Sequence, residues 1–279
     1  MNFYEFAASH GLEIRELYPS DKIRRCGTRE KPRSDNGAYF YDGHKGWVQD
    51  WANAGTPIWW QSEKQWTDEE KRQWALRRQT MSIDKDRRYE LAASRADIML
   101  RSAELLQHDY LHRKGFPEAK GLVLEGRLMV PMRNVRTNAL QGLQTIFWDP
   151  EARVFEKKML PGMRAKEGVL RMGAGEEVWL VEGYATGLSV HAALRSVGLN
   201  AQVVVAFSAG SLIDVAGKIP DRRYVFADHD ASEAGQKAAE STGLPWTMSE
   251  VQGEDANDLH KRTGLFSVVA KIMALRAQS

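Results

Sequence analysis

The sequence predicts an α/β fold (α+β overall), in which a parallel sheet flanked by helices occupies the C-terminal part. Near-continuous apolar runs at 178–181 and 224–227 have the length and composition of strands buried on both faces. A helical pattern at 185–196 and a further apolar run at 202–206 lie between them. Because strands and helices alternate in this way, we expect a parallel α/β unit over 176–279.

Both of the outer apolar runs end on acidic residues. Glu182 follows the first run, and Asp228 and Asp230 follow the second. In parallel sheets the functional site lies at the carboxyl ends of the strands, so we expect three carboxylates at one edge. Such carboxylates repel one another, and a divalent cation such as Mg²⁺ resolves the repulsion. Glu182 is a candidate ligand or general acid/base. The alternative is that strand-end acids simply face water.

Composition limits the classes of protein that this chain resembles. The chain has 279 residues, a net charge of only +2 and one cysteine, Cys26. A single cysteine excludes an internal disulfide and a multi-cysteine zinc site, and it favours a cytoplasmic protein. No apolar run approaches the length of a membrane span, and the N-terminal residues include acids, unlike a signal peptide. We therefore expect no membrane partner.

The first 61 residues predict a small β module. After a short helix expected over Asn2 to Leu17, aromatic runs alternate with clusters of Gly, Asn and Asp. The SDNG and DGHKG segments have the composition of hairpin turns. Basic residues stand beside the aromatic ones, a combination that suits stacking and phosphate binding of single-stranded nucleic acid. The candidate DNA-binding residues are Arg24, Arg25, Tyr39, Tyr41, Trp47 and Trp51. The alternative, which the pattern leaves open, is that these aromatics form the core of their own sheet.

A helical linker is predicted over 62–108. The stretch from Thr67 to His108 contains no Pro or Gly, and Thr67 precedes three acids as a helix N-cap would. We expect one long helix or two helices joined near 81–84, with a largely solvated charged face.

Residues 109–175 predict a mixed β subdomain. Three segments (GRLMVPMRN, LQGLQTIFWDP and ARVFEKKMLPG) have the pattern of strands joined by turns. The basic residues here are candidates for binding nucleotide or template phosphates. A loose basic set is usually ordinary surface, and only the resemblance described below favours binding. They are Arg113, Lys114, Arg127, Arg133, Lys157 and Lys158.

Two further helix starts are predicted in the C-terminal part. Ser232 is expected to cap a helix that follows Asp230. Asp255 and Asp258 lie in a turn that opens another helix, so Asp255 is expected as its N-cap. A position near a metal is compatible with that role.

Four segments resemble a known family. VEGYATGLS followed by ADHDASEAGQKAA resembles the Toprim domain of primases, topoisomerases and some nucleases. HDYLHRKG resembles the HPYLxRKGI segment of primases, with Asp109 where a proline is usual. NGAYFYDGHKGWVQDWANAG resembles the N-terminal module of phage and plasmid primases, including relatives of the phage P4 type. That segment stands in place of a zinc ribbon, and because zinc ligands are absent we predict no zinc.

This resemblance implies a DNA primase that makes short RNA primers on single-stranded DNA during replication of a phage, plasmid or other mobile element. It implies Mg²⁺ or Mn²⁺ at Asp228 and Asp230, with Glu182 as acid/base. Asp255 and Asp258 would help to hold a second metal. Ribonucleoside triphosphates and a single-stranded template are the implied partners. No GxxxxGK[ST] pattern occurs, so a helicase would be a separate protein. The alternatives are a Toprim metal-dependent nuclease and a non-catalytic replication accessory protein that binds single-stranded DNA.

Overall fold

The computed structural model describes residues 1–20, 22–51, 56–62, 67–220 and 222–278. The chain forms two units, Met1–Asp84 and Lys85–Ser279, each with its own sheet. The first sheet is antiparallel and the second is mixed, which confirms the α/β (α+β) class. The finer division into four segments stays a prediction. Among the described residues, no helix combines the length and apolar character needed to cross a bilayer.

The first unit is a five-stranded sheet covered by one short helix. Its elements are α1 (Phe3–Ser9), β1 (Leu12–Glu13), β2 (Arg24–Thr28), β3 (Gly37–Tyr41), β4 (Lys45–Asp50) and β5 (Ile58–Gln61). The strands follow one another across the sheet in chain order. The DGHKG turn joins β3 to β4 as predicted, with the Asp42 carboxylate accepting from the backbone N–H groups of His44 and Lys45.

The first helix is shorter than the sequence pattern indicates. It begins with a capping box between Asn2 and Glu5 and ends at Ser9. Gly11 then adopts a φ of +80°, a left-handed conformation that ends helical geometry, and the chain enters β1. The expectation of a helix running toward residue 17 is therefore wrong.

A single helix, α2 (Asp68–Ser102), follows. Thr67 and Glu70 exchange hydrogen bonds between side chain and backbone at its start, as a capping box does. Because no Gly or Pro interrupts it, the helix is continuous, and of the two expected arrangements the single helix is confirmed. Its side chains are mostly exposed, with only Ala92 and Ala96 buried among the described ones.

The second unit is built on a sheet of ten described strands. Its elements are β6 (Glu104–Gln107), α3 (Asp109–Arg113), β7 (Lys120–Leu124), β8 (Arg127–Asn134), β9 (Leu140–Asp149), β10 (Val154–Met159), β11 (Gly168–Gly173), β12 (Glu177–Val181), α4 (Tyr184–Ser196), β13 (Ala201–Val205), α5 (Ala209–Ala216), β14 (Arg222–Ala227), α6 (Ala234–Thr242), β15 (Trp246–Met248), α7 (Ala256–Thr263) and α8 (Leu265–Gln278). The main order is β10-β9-β8-β11-β13-β12-β14-β15, with β6 and β7 branching from β8.

The sheet changes character along its width. From β10 to β11 neighbouring strands are antiparallel, whereas β13, β12, β14 and β15 run parallel to one another. Helices α4, α7 and α8 contribute side chains to the core on one face of the parallel part, and α5 and α6 to the core on the other. Strands buried on both faces must be apolar throughout, which is why β12 and β14 read as continuous apolar runs.

The antiparallel half of this sheet also has two distinct faces. One face carries Ile146 and Leu128, which pack with Tyr110 of α3 and Ala185 of α4. The opposite face carries side chains that pack with the C-terminal part of α2; these are Met129, Leu143 and Leu160 with Ala96, Met99 and Leu100. Only the first face adjoins the carboxyl edge of the parallel strands, because α4 begins at that edge.

Candidate functional site

The acidic residues at the ends of β12 and β14 meet at one edge. The two strands are parallel neighbours, with Trp179 opposite Tyr224 and Leu180 opposite Val225. Glu182 and Asp228, one residue beyond the two strands, therefore leave the sheet side by side. The start of α7 brings Asp255 to the same edge, where a buried threonine of α4 contacts both aspartates.

Thr186 lies between two carboxylates. Its Oγ1 is 3.0 Å from Asp255 Oδ2 and 3.4 Å from Asp228 Oδ1, and the residue is completely buried. A hydroxyl carries one proton, so it donates fully to only one carboxylate at a time. One of the two carboxylates therefore lacks this donor at any moment.

The electrostatics of this edge show an excess of negative charge. Burial raises the pKa of Asp228 to about 7, with further contributions from Asp255 and Glu182, against the opposing effects of Thr186 and Lys157. Burial, followed by Asp230, also raises the pKa of Glu182, although the backbone N–H of Ala209 and the Lys157 ammonium oppose that shift. Carboxyls with raised pKa values at one edge are the environment that a divalent cation neutralises.

Asp230 plays a different part from Asp228. Its carboxylate accepts hydrogen bonds from the backbone N–H groups of Ser232 (2.9 Å), Ala234 (3.3 Å) and Gly235 (2.9 Å), and from the Ser232 hydroxyl. Burial would raise the pKa of this carboxyl, but these hydrogen bonds outweigh it and lower the pKa to about 2. Asp230 thus shapes its own loop. A role as metal ligand stays a prediction.

The start of α6 corrects one expectation. Ser232 does not cap this helix; the N-cap position is Glu233, whose φ is 59° and whose side chain makes no capping bond. The Asp230 carboxylate binds the free N–H groups of the first turn instead. The turn also needs Gly235, because a Cβ there would lie 2.3 Å from the carbonyl oxygen of Asp228.

Asp255 is the N-cap of α7, as the sequence predicts. Its carboxylate accepts from the N–H groups of Asn257 (2.7 Å) and Asp258 (2.8 Å), and Asp258 completes the capping box. The remaining oxygen of Asp255 is the one that Thr186 contacts. Asp258 Oδ1 lies 4.0 Å from the Lys114 ammonium and forms an ion pair with it, and its role as a metal ligand stays a prediction.

Binding of a magnesium or manganese ion at this edge stays a prediction. Among the described residues, no group of three or more His, Cys, Asp or Glu side chains is arranged to hold a metal ion. Asp228 and Asp255 nevertheless offer carboxylate oxygens on either side of one hydroxyl. Mg²⁺ commonly binds one or two carboxylates and completes its shell with phosphate oxygens and water, so these two acids are a sufficient protein contribution.

Of the predicted phosphate-binding residues, Lys157 and Lys114 lie by the acids. Burial lowers the pKa of Lys157, and Lys114 adds to the effect, whereas Asp255, Asp228 and Glu182 oppose it. Lys157 as a whole residue is nevertheless exposed. Lys114 follows α3 and pairs with Asp258. Arg113, its neighbour, stacks on Trp148 of β9.

The other three predicted phosphate-binding residues lie elsewhere. Arg127 and Lys158 both stack on Phe147, at 4.4 Å and 5.3 Å from its ring centroid. Neighbouring residues of a strand point to opposite faces, so Lys158 projects away from the face that Lys157 occupies. Arg133 donates to the carbonyl of Asn138 in its own hairpin. The structure does not bring these three to the acidic edge.

Three residues of this region were not predicted from the sequence to belong to the site. Thr186 shares the VEGYATGLS segment with Glu182, so its place in the first turn of α4 was the available signal. Asn257 is completely buried and its Nδ2 donates to the carbonyl of Lys114 (2.7 Å) and to the Ser189 hydroxyl (3.0 Å). Tyr110 is also buried, and its hydroxyl has no hydrogen-bond partner among the residues that the structure describes; burial, followed by Asp255, raises its pKa.

In the first unit, the aromatic candidates divide between the two faces of the sheet. Tyr39 is 4% exposed and donates its hydroxyl to the carbonyl of Glu16 (3.1 Å). Tyr41 stacks on Phe3 of α1 with ring centroids 4.7 Å apart. Tyr39 therefore belongs to the core and Tyr41 packs against it, partly buried, while contact of either ring with DNA stays a prediction.

The opposite face of this sheet carries a row of aromatic side chains. Phe40, Trp47 and Trp59 lie directly opposite one another on β3, β4 and β5, and Trp59 is 65% exposed. Trp51, just beyond β4, is 53% exposed, and the Arg25 guanidinium lies 5.1 Å from its ring centroid. We call these five residues the aromatic face. Arg24 instead stacks on Tyr18 at 3.9 Å.

Comparisons with known proteins give a similarity of fold at low identity. No protein-family model matches the chain. The chain is similar to the primase fragment of the bacteriophage T7 primase-helicase protein, with 15% identity and a TM-score of 0.38, over 54% of this chain and 65% of that one. It therefore spans just under two thirds of that fragment.

A second similar chain comes from a structure of T7 lagging-strand DNA polymerase interacting with primase domains bound to an RNA/DNA hybrid and dTTP. The identity is 18% and the TM-score 0.37, over 63% of this chain and 88% of that one. At these identities and TM-scores, the similarity does not support a functional assignment for this chain.

Proposed function

We propose that this protein is a Toprim-type DNA primase of a phage, plasmid or other mobile element, which synthesises short RNA primers on single-stranded DNA. The observation that carries the proposal is the convergence of Asp228, Asp255 and Glu182 at the carboxyl edge of β12 and β14, with Lys157 beside them. Glu182 and Asp228 belong to the two segments that resemble Toprim domains. The proposal does not depend on the T7 similarities.

The residues of this edge suit nucleotidyl transfer. Asp228 and Asp255 would hold Mg²⁺ or Mn²⁺, which lowers the pKa of an attacking 3′-hydroxyl and neutralises phosphate charge when bound. Glu182 is suited to accept the hydroxyl proton, because its raised pKa lies nearer neutrality than that of an ordinary carboxyl. Lys157 and Lys114 would bind the triphosphate of the incoming ribonucleotide. Asp230 would keep the loop after β14 in place.

The aromatic face of the first unit is the proposed template-binding surface. Stacking on aromatic rings binds single strands with little sequence preference, and a neighbouring arginine neutralises phosphate. Phe40, Trp47 and Trp59 form a continuous row across three strands, beside Arg25 and Trp51. The other expected partner is a helicase carried by a separate protein.

The test is incubation of the protein with mixed-sequence single-stranded DNA, labelled ribonucleotides and Mg²⁺ or Mn²⁺, followed by a denaturing gel. We expect short RNA from the wild type and from Glu151→Ala, a control acid in an exposed turn, and none from Asp228→Ala. Degradation of the DNA would show that the protein is a nuclease rather than a primase. Binding of DNA without either product, across varied templates, would indicate an accessory protein.

A further inference from the structure

A row of aromatic rings leads from the surface of the second unit to its acidic edge. The ring centroids of Trp148 and Phe155 are 5.2 Å apart, those of Phe155 and Tyr110 are 5.3 Å apart, and those of Tyr110 and Tyr184 are 6.4 Å apart. Tyr184 begins α4 two residues after Glu182. Trp148 is the open end of the row, since it is 38% exposed whereas Tyr110 is 1% exposed.

Two cations lie on these rings. The Arg113 guanidinium is 4.3 Å from the centroid of Trp148 and 5.5 Å from that of Phe155. The Lys157 ammonium, which interacts with the acids, is 5.9 Å from the centroid of Tyr110. The row therefore joins an exposed indole, an exposed arginine and the cation beside Asp228.

Strand register explains why these groups share a face. Trp148 is directly opposite Phe155, and Ile146 is directly opposite Lys157, in the antiparallel pair β9–β10. Residues two apart in a strand lie on the same face, so Trp148 and Lys157 project to the side that packs on α3 and α4.

We infer that Trp148 and Arg113 form a stacking site for a nucleobase whose phosphates are bound at the acidic edge. An indole offers the π-face on which any base stacks. A guanidinium stacks on the same ring and pairs with phosphate, so Arg113 can contact both parts of a nucleotide. This inference rests on the proposed function, because it adds a base-binding position to the same site.

Phe147, the neighbour of Trp148, provides the matched control. It also carries cations on its ring, Arg127 and Lys158. It points to the opposite face, where the sheet packs on α2. If cation–aromatic pairs on this strand bound nucleotides regardless of position, both rings would matter; we expect only Trp148 to do so.

The base could belong to the incoming ribonucleotide or to a nucleic-acid strand, and photocrosslinking separates these sources. The probes are 5-iodouridine triphosphate and single-stranded DNA containing 5-iododeoxyuridine, each irradiated with the wild type in the presence of Mg²⁺. We expect an adduct on Trp148, identified by mass spectrometry. An adduct with the triphosphate assigns the site to the incoming nucleotide, and an adduct with the DNA assigns it to the strand.

Equilibrium binding of the same two probes completes the test. We expect Trp148→Leu to weaken binding of the crosslinked probe about tenfold, the effect of losing one stacked base. Trp148→Phe should retain most of the affinity, and Phe147→Leu should bind like the wild type. Unchanged melting temperatures would show that the variants fold.

The inference is overturned if neither probe labels Trp148, or if Phe147→Leu weakens binding as much as Trp148→Leu does. Primer synthesis by a wild type that gives no Trp148 adduct would refute this inference alone. An adduct on Trp148 from a protein that makes no primers would refute the proposed function alone.

Discussion

The acidic edge of the second unit and the sheet of the first unit, called the aromatic sheet below, both contain neighbouring residues of similar type. In each region these neighbours make different contacts. At the acidic edge, Asp228 faces Thr186, whereas Asp230, two residues later, binds the N–H groups of its own loop. In the aromatic sheet, Tyr39 is in the core while Phe40, the next residue, lies on the aromatic face. Residue type predicts which chemistry is available, but side-chain direction decides which residue supplies it.

The largest expected difference is between the two aspartates. Asp228→Asn removes a charge from the carboxylate that faces Thr186, so we expect primer synthesis to fall by more than the roughly 10- to 100-fold seen when an outer partner of a metal ligand is lost. Asp230→Asn keeps one oxygen that accepts from the N–H groups of Ser232 and Ala234 and loses only the acceptor for Gly235, so we expect a smaller loss. Initial rates of RNA synthesis measure both. Equal losses in two well-folded variants would mean that Asp230 also binds the metal.

The two neighbouring lysines of β10 sharpen the comparison. Lys157 lies beside the acids and Lys158 stacks on Phe147 on the other face. We expect Lys157→Met to raise the KM for ribonucleotides about tenfold, the effect of one lost charge-assisted hydrogen bond. Lys158→Met should leave KM within about twofold, as for most exposed substitutions. Steady-state kinetics at fixed template would decide this, and similar KM values for the two variants would contradict the assignment.

The aromatic sheet offers a parallel test. Trp59→Ala removes an exposed ring from the aromatic face, so we expect affinity for single-stranded DNA to fall about tenfold. Tyr39→Phe removes only a buried hydroxyl that is bonded to Glu16, so it should lower the melting temperature without changing DNA affinity. Fluorescence anisotropy with a labelled oligonucleotide gives both affinities. A loss of binding in Tyr39→Phe alone would reverse the assignment of the two faces.

The smallest expected effect is the pH dependence of the melting temperature in the absence of metal. The pKa of Asp228 is about 7 in the folded protein, above the value of about 3.9 for an unfolded chain. Between these values the folded state binds more protons than the unfolded state, so stability falls as the pH rises through this range. In a chelator, we expect the melting temperature to fall between about pH 4 and pH 7. Asp228→Asn should remove part of this slope; an unchanged slope would show that Asp228 does not titrate there.

Local patterns were sufficient to predict much of the fold. The apolar runs that became β12 and β14, the Asp255 cap and the continuous α2 each depend on residues close together in the sequence. The cap of α6 was predicted wrongly because Asp230 binds the N–H groups that Ser232 was expected to take.

Contacts between distant segments could not be predicted. Asn257 bonds to the carbonyl of Lys114, 143 residues earlier, and Thr186 meets Asp255 across 69 residues. Similarly, Lys157 and Lys158 project to opposite faces of the sheet, and only the packing of each face shows which of the two lysines lies beside the acids. The sequence identified the acids and the lysines, whereas the structure identified the hydroxyl and the amide that lie beside them.

The most direct test of the central claim, that the acidic edge binds a divalent cation for phosphoryl transfer, is Mn²⁺ binding measured by electron paramagnetic resonance in the presence of ATP. We expect the wild type and Glu151→Ala to bind Mn²⁺ alike and Asp228→Asn to bind it much more weakly. Melting curves recorded at low pH with a chelator should be the same for the wild type and Asp228→Asn, which would show that the variant folds. Equal Mn²⁺ binding by the wild type and Asp228→Asn would show that the acidic edge does not bind the cation through Asp228.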